Sequence, residues 1–287
     1  MEFKRNPNFR LRKGISLSDE IDICKKYISG ESSVKIGAEY GVCHKTITAI
    51  LQAYGIDRTG NGVRKYNVDE NYFDIIDTQN KAYILGMLYA DGYNCEQKGS
   101  IRLSLQCEDK DILEKIRNEM KSEKPLSFKK CNDHIASNGF CSKDMYTLDI
   151  YSAYMSRSLV RCGMKQNKSL TLEYPKCIPE ELHSHFIRGY FDGDGSLHFY
   201  TNKRGYVQPT LTITSTQCFC DTALSILRDS LGVGGGIYDA SCHNGITKVL
   251  TFCGINQCKS ILDWIYLDAN LYMSRKYNKY QNWLLAS

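Results

Sequence analysis

Apolar positions change their spacing near residue 66. Before it, three short amphipathic runs predict helices at Ser18–Ser29, Ser33–Tyr40 and Cys43–Tyr54, with Gly41 between the last two. Ile21, Cys24 and Ile28 supply the inward positions of the first helix; Val34, Ala38, Val42, Ile47, Ile50 and Leu51 supply those of the pair. After it, helical blocks are interleaved with strict alternation. Ile101, Leu103 and Leu105 alternate with Arg102, Ser104 and Gln106, and Leu211 and Ile213 with Thr210, Thr212 and Thr214. Each such strand offers one face to a core and one to polar contact. Strand Ser100–Cys107 leads to a helix at Lys110–Lys121, and Pro209–Thr216 leads to one at Cys218–Ser230. A second strand pair follows each helix: Leu126–Lys130 with Met145–Tyr151, then Gly236–Ala240 with Lys248–Cys253. The order is helix, two strands, helix, two strands, helix, written twice, which makes the chain α+β.

Each copy opens on one motif. Tyr83–Gly92 (YILGMLYADG) and Phe186–Gly195 (FIRGYFDGDG) are both apolar, carry glycine fourth and end in a small residue, Asp and Gly. Gly86 and Ala90 share one helix face, as do Gly189 and Gly193, and small residues at that spacing let two helix backbones approach closely. Gly92 and Gly195 are expected at positive φ, as helix caps. Asp91 and Asp194 then stand at the negative ends of their helix dipoles, an unfavourable place that a cation compensates. Two such carboxylates meeting across a helix pair would hold Mg²⁺ or a similar oxygen-seeking ion. One Asp-Gly alone is an ordinary turn; two in matched surroundings favour the metal reading.

The N-terminal helices suit a helix-turn-helix, with Cys43–Tyr54 as recognition helix and His44, Lys45 and Thr48 facing the DNA groove. Any short three-helix bundle shares this spacing, although the turn sequence EYGVCHKTI favours DNA binding. Lys4, Arg5, Arg10, Arg12 and Lys13 form a basic arm able to track phosphates, or a solvated tail. Asp57–Asn67, with Arg58, Gly60, Gly62, Arg64 and Lys65, reads as a linker. The domain division is a basic arm at 1–15, the helix-turn-helix at 16–57, a linker at 58–70, and two halves at 71–175 and 176–287.

Composition adds little. A net charge of +5 over 287 residues suits a nucleic-acid binder, and many unrelated proteins share it. No apolar run approaches the roughly 18 residues that span a bilayer. No charged-then-apolar leader opens the chain, so an intracellular protein is expected. The 13 cysteines include no C-x-x-C pair and read as reduced thiols; Cys131, His134 and Cys141 lack a fourth zinc ligand. His183 and His185, ahead of the second motif, read as surface or interface residues.

From Tyr66 to the C-terminus the chain resembles the LAGLIDADG homing endonucleases in their single-chain, two-motif form. The resemblance rests on both motifs, the repeated element order and the phrases HFIRGYFDGDGS and DANLYMSRKYNKY. It implies two αββαββα halves about a pseudo-twofold axis, with the motif helices at their interface and two antiparallel sheets forming a saddle over double-stranded DNA. It also implies Mg²⁺-dependent hydrolysis of both strands by a monomer, with Mn²⁺ or Ca²⁺ substituting for binding. Asp91 and Asp194 would hold the metals, with the carbonyls of Ala90 and Gly193 as further ligands. Gln217 and Lys248 are candidates for the surroundings of the attacking water. Lys248 shares a face with Leu250 and Phe252, which leaves a plain DNA contact or solvated surface open for it. Base reading falls to Arg102, Ser104 and Gln106 in the first half, and to Ser196, His198, Tyr200, Thr210, Thr212 and Thr214 in the second. The target would be long and asymmetric. The motif's first acid is Tyr89 in one copy and Asp192 in the other, a position the family varies. A non-cleaving regulator would be expected to have lost the motif acids; an intron RNA maturase stays open as an added role. An intein is not expected, since the chain starts with Met1 and ends Leu-Ala-Ser.

Overall fold

The computed structural model describes residues 3–9, 14–56, 66–131, 143–201, 205–240 and 247–286. Arg10, Arg12, Lys13, His134, Cys141 and the linker residues Arg58, Gly60, Gly62, Arg64 and Lys65 lie outside the described residues. The chain divides into two compact units, Met1–Tyr66 and Asn67–Ser287.

The first unit packs α1 (Leu17–Ile28), α2 (Ser33–Glu39) and α3 (His44–Ala53) around Ile23, Cys24, Ile36, Ile47, Ile50 and Leu51. Ser16 and Asp19 form a capping box on α1, and Ser32 caps α2. The turn into α3 uses Gly41 at φ +67° and folds back over Gly37, where a Cβ would lie 2.6 Å from the Val42 carbonyl oxygen. The inward stripe differs from the expected one. Ile28 and Val34 are exposed and Ala38 faces solvent, while Ile23, Ile36 and Gly37 are buried. One helical turn of the short α2 reaches the core, so Ile36 and Gly37 displace Val34 and Ala38 from it. Glu20 is fully buried and meets Arg5 Nε at 2.8 Å, so this arm residue spends its charge inside the unit.

The second unit is α+β, with two four-stranded antiparallel sheets of one topology. The first half runs α4 (Gln79–Asp91), β1 (Gly92–Cys95), β2 (Ser100–Gln106), α5 (Lys110–Glu119), β3 (Ser127–Lys129), β4 (Met145–Tyr151) and α6 (Ala153–Arg161). The second runs α7 (His183–Asp194), β5 (Gly195–Thr201), β6 (Val207–Ser215), α8 (Gln217–Leu231), β7 (Gly236–Asp239), β8 (Lys248–Cys253) and α9 (Ile255–Tyr266). A further helix, α10 (Ser274–Ala286), closes the chain. Strand order is β1-β2-β4-β3 in one sheet and β5-β6-β8-β7 in the other. Asn67 and Asp69, within the expected linker, are already hydrogen-bonded to Glu123 and Met120 of this unit.

The helices α4 and α7 form the spine. Residues 82–89 of α4 are all buried, so the motif meets solvent at its end, through Ala90 and Asp91. Their backbones touch at the two motif glycines. A Cβ on Gly86 would lie 2.3 Å from the Phe186 carbonyl oxygen, and one on Gly189 would lie 2.0 Å from that of Tyr83. One on Gly193 would meet Ala90 Cβ at 2.3 Å. The closing glycines are a correction to the expected caps. Gly92 (φ −81°) and Gly195 (φ −88°) are extended, because each helix passes straight into a strand without a turn. Glycine is needed there for space: a Cβ would sit 2.5 Å from the Leu88 oxygen in one and 2.6 Å from the Phe191 oxygen in the other.

Gly86→Ala and Gly189→Ala should each destabilise the second unit by about 3 kcal/mol or more, because backbone cannot yield to the added methyl. Urea unfolding, compared with an exposed Ser225→Ala control, measures it.

Candidate metal centre

Asp91 and Asp194 are the last residues of α4 and α7, so the close crossing of the helices brings their carboxylates together. Asp91 Oδ2 lies 2.9 Å from the position of a Cβ on Gly193. Packed protein and the facing Asp194 charge push Asp91 up to about 6. Asp194 is raised too, by desolvation, against the pull of Lys168 and Lys276. Solvent still reaches both side chains, so the site is crowded from behind and open in front.

Each acid has a lysine beside it. Lys168 Nζ donates to the Ala90 carbonyl at 3.0 Å; Lys276 Nζ donates to Phe191, Gly193 and Gly195 at 2.6, 3.2 and 2.6 Å. Cations at a helix C-terminus answer the dipole that disfavours the acids there. Desolvation lowers both, Lys276 to about 8, opposed by the neighbouring carboxylates. Arg275 adds a second cation, reaching Asp109 with Nε at 3.3 Å and Nη2 at 3.1 Å. Asp109 in turn adds to the repulsion felt by Asp91.

The motif position that differs between the copies is hydrogen-bonded to the segments that carry these lysines. Asp192 is fully buried and accepts from Tyr83 OH (2.8 Å), Tyr266 OH (2.9 Å) and the Met273 amide (2.7 Å), just ahead of Lys276. Its counterpart Tyr89 donates to the Cys162 carbonyl, on the segment leading to Lys168. Arg188, also buried, holds the Ile265 and Leu271 carbonyls at 2.7 and 2.9 Å. Its Nη1 meets His185 at 2.7 Å, and His183 meets Tyr174, so both histidines serve packing.

Two further expected members have partners of their own. Gln217, first residue of α8, donates to Asp221 at 2.8 Å on its own helix. Lys248 is paired with Asp239 across β7 and β8, on the sheet face of Leu250 and Phe252. Its strand parity turns it from the polar face, and the lysines at the acids come from the chain after α6 and at α10. Both lie in basic segments at equivalent places in the two copies, Lys165–Lys168 and Ser274–Lys276, a signal available to sequence alignment of the repeats.

On the sheets, Arg102, Gln106, His198 and Tyr200 are exposed and Ser104, Ser196, Thr210, Thr212 and Thr214 half-buried, all on the polar faces. Ser104 bonds Thr147 (2.8 Å), and Ser196 bonds His198 (2.7 Å). In the first unit His44 and Lys45 are exposed, whereas the Thr48 hydroxyl donates back to the His44 carbonyl at 2.9 Å.

Among the described residues no group of three or more His, Cys, Asp or Glu is placed to hold a metal, so the acid pair would need other oxygens to complete a shell. No described helix is long and apolar enough to cross a membrane.

No protein-family model matches the chain. An uncharacterized protein of Methanocaldococcus jannaschii is 26% identical over 166 residues, 56% of this chain and 57% of that protein, so the match spans little over half of its length. Similar solved structures are the I-LtrWI LAGLIDADG homing endonuclease bound to target DNA and the I-SmaMI LAGLIDADG homing endonuclease bound to cleaved DNA. The first is 12% identical over 76% of this chain and 90% of that one, TM-score 0.46. The second is 16% identical over 73% and 88%, TM-score 0.45. A third, I-SmaMI with an uncleaved DNA target and calcium ions, is 15% identical over 73% and 90%, TM-score 0.45.

Neutralising one of two facing like charges should stabilise the metal-free protein. Asp91→Asn should therefore melt higher than wild type at neutral pH. Added Mg²⁺ should raise the wild-type melting temperature and leave that of Asp91→Asn/Asp194→Asn unmoved; scanning calorimetry reads both.

Proposed function

We propose that the protein is a monomeric, site-specific endonuclease that hydrolyses both strands of duplex DNA at the crossing of α4 and α7. One observation supports it above the rest: two solvent-open carboxylates end a pair of equivalent helices, each beside a lysine seated on its helix's terminal carbonyls. A purely structural pair would be sealed; this one is crowded and accessible.

The donor set fits Mg²⁺. Asp91 and Asp194 supply hard, anionic oxygens, and the carbonyls of Ala90 and Gly193 each keep a lone pair after accepting a lysine. Two carboxylates with substrate phosphates and water is the usual Mg²⁺ shell in phosphoryl chemistry. A bound ion there supplies charge for the scissile phosphate and acidifies an attacking water. The chain's own residues do the rest. Asp91 and Asp194 fix the reaction at one point between the two strands. Lys168 and Lys276 hold ammonium groups where negative charge develops on the phosphate. Tyr89 and Asp192 hold the segments that carry those lysines, and Arg275, held by Asp109, flanks them.

The polar sheet faces read the bases, the first through Arg102, Ser104 and Gln106, the second through Ser196, His198, Tyr200 and the threonines of β6. The first unit is a second reader, a helix-turn-helix with His44 and Lys45 at the start of α3. Together they specify a long, asymmetric target.

Selection of cleaved molecules from a randomised duplex library in Mg²⁺ tests the reading. Wild type should give discrete double-strand cuts, abolished in Asp91→Asn and Asp194→Asn. Lys168→Met and Lys276→Met should each slow cutting by about 10²-fold or more while sparing binding. Sequence-specific binding without a cut, in Mg²⁺ or Mn²⁺, would instead identify a regulator; binding to intron RNA alone, a maturase.

Removal of residues 1–57 should weaken binding to the full target and reduce the salt dependence of affinity, with metal-dependent cutting retained. Equal affinity in a gel-shift titration would remove the first unit from target reading.

A further inference from the structure

The polar face of the first sheet carries one ionic cluster. Arg102 on β2 stands in register with Asp149 on β4, and its Nε donates to Asp149 Oδ1 at 2.7 Å. The guanidinium side chain is 55% exposed and the carboxylate 15%, so the acid lies beneath and the arginine above. The other carboxylate oxygen faces Lys124 Nζ at 3.7 Å and Ser127 Oγ at 3.5 Å. Lys124 also lies over the Tyr151 ring, 4.6 Å from its centre. The second sheet offers Ser196, His198, Tyr200, Thr210, Thr212 and Thr214 on the corresponding face, with no Arg–Asp pair among them.

A carboxylate on a DNA-reading face disfavours phosphate, and here its charge is spent on Arg102 and Lys124. A guanidinium is a rigid fork of five donors. Engaging it through Nε restrains rotation of the plane and leaves the terminal nitrogens Nη1 and Nη2, the pair that matches guanine O6 and N7. We propose that Asp149 is a specificity-determining positioning residue: buttressed by Lys124 and Ser127, it holds Arg102 to read a single guanine in the target half under the first sheet. This rests on the DNA-reading function proposed above.

The test is selection of bound duplexes from a randomised library by the full-length protein in Ca²⁺, which asks for no cleavage. Wild type should enrich one guanine that Arg102→Ala loses. Asp149→Ala and Asp149→Thr should lose the same guanine, by about tenfold or more at that position, with preferences elsewhere unchanged. Threonine suits a strand, so it covers a folding failure of the alanine variant. Asp149→Asn should keep the guanine, because its amide oxygen still accepts from Nε. A guanine preference untouched in Asp149→Ala and Asp149→Thr, or a loss spread over every position, overturns the proposal. Selective binding without any Arg102-dependent guanine overturns it too, and leaves the endonuclease reading standing. No selective DNA binding by wild type overturns both.

Discussion

The contact of α4 with α7 backbone against backbone is the constraint on which the second unit depends. Two atoms set it: the missing Cβ of Gly86, facing the Phe186 carbonyl, and that of Gly189, facing the Tyr83 carbonyl. Without side chains between them, the helices bring their C-terminal ends to one point. Everything chemical follows from that point. The acids end the helices, the sheets begin one residue later, and the two halves share a single core running through the spine. A wider crossing would leave the same residues on two separate surfaces.

Such a crossing concentrates unfavourable terms. Helix C-termini carry negative dipole ends, and each here also carries an aspartate. Lys168 and Lys276 offset part of this by donating to the terminal carbonyls, at a desolvation cost that lowers both. What keeps them in place is remote from their own helices: Tyr89 grips the Cys162 carbonyl, and Asp192 the Met273 amide. A tyrosine in one copy and an aspartate in the other perform one task by opposite hydrogen-bonding roles, donor and acceptor. The repeat preserves geometry here without preserving residue identity.

The two polar sheet faces are built differently. One polar sheet face carries Arg102 and Asp149; the other is built of hydroxyls and a histidine. The first unit has its own core and its own caps, and its buried Glu20–Arg5 pair ties the arm to the helices.

Local pattern and repetition determined much of this protein. Period-two alternation set the strands to within a residue or two, and the doubled Asp-Gly ending marked the helices and their acids, because side-chain parity and helix pitch are properties of the backbone itself. Positions whose role depends on distant chain were not legible. Gly92 and Gly195 fit the pattern of positive-φ helix caps, and only the direct passage from helix to strand shows that they serve space. Lys168 and Lys276 lie beside the acids only because α6 and α10 bring their segments back to the spine. Val34 and Ile28 fit a helical stripe, yet both are exposed, one in the first turn of the short α2 and the other at the very end of α1. Sequence carries the periodicity of each element; which polar group meets which is decided by tertiary packing, since hydrogen bonds and desolvation act over ångströms and not along the chain.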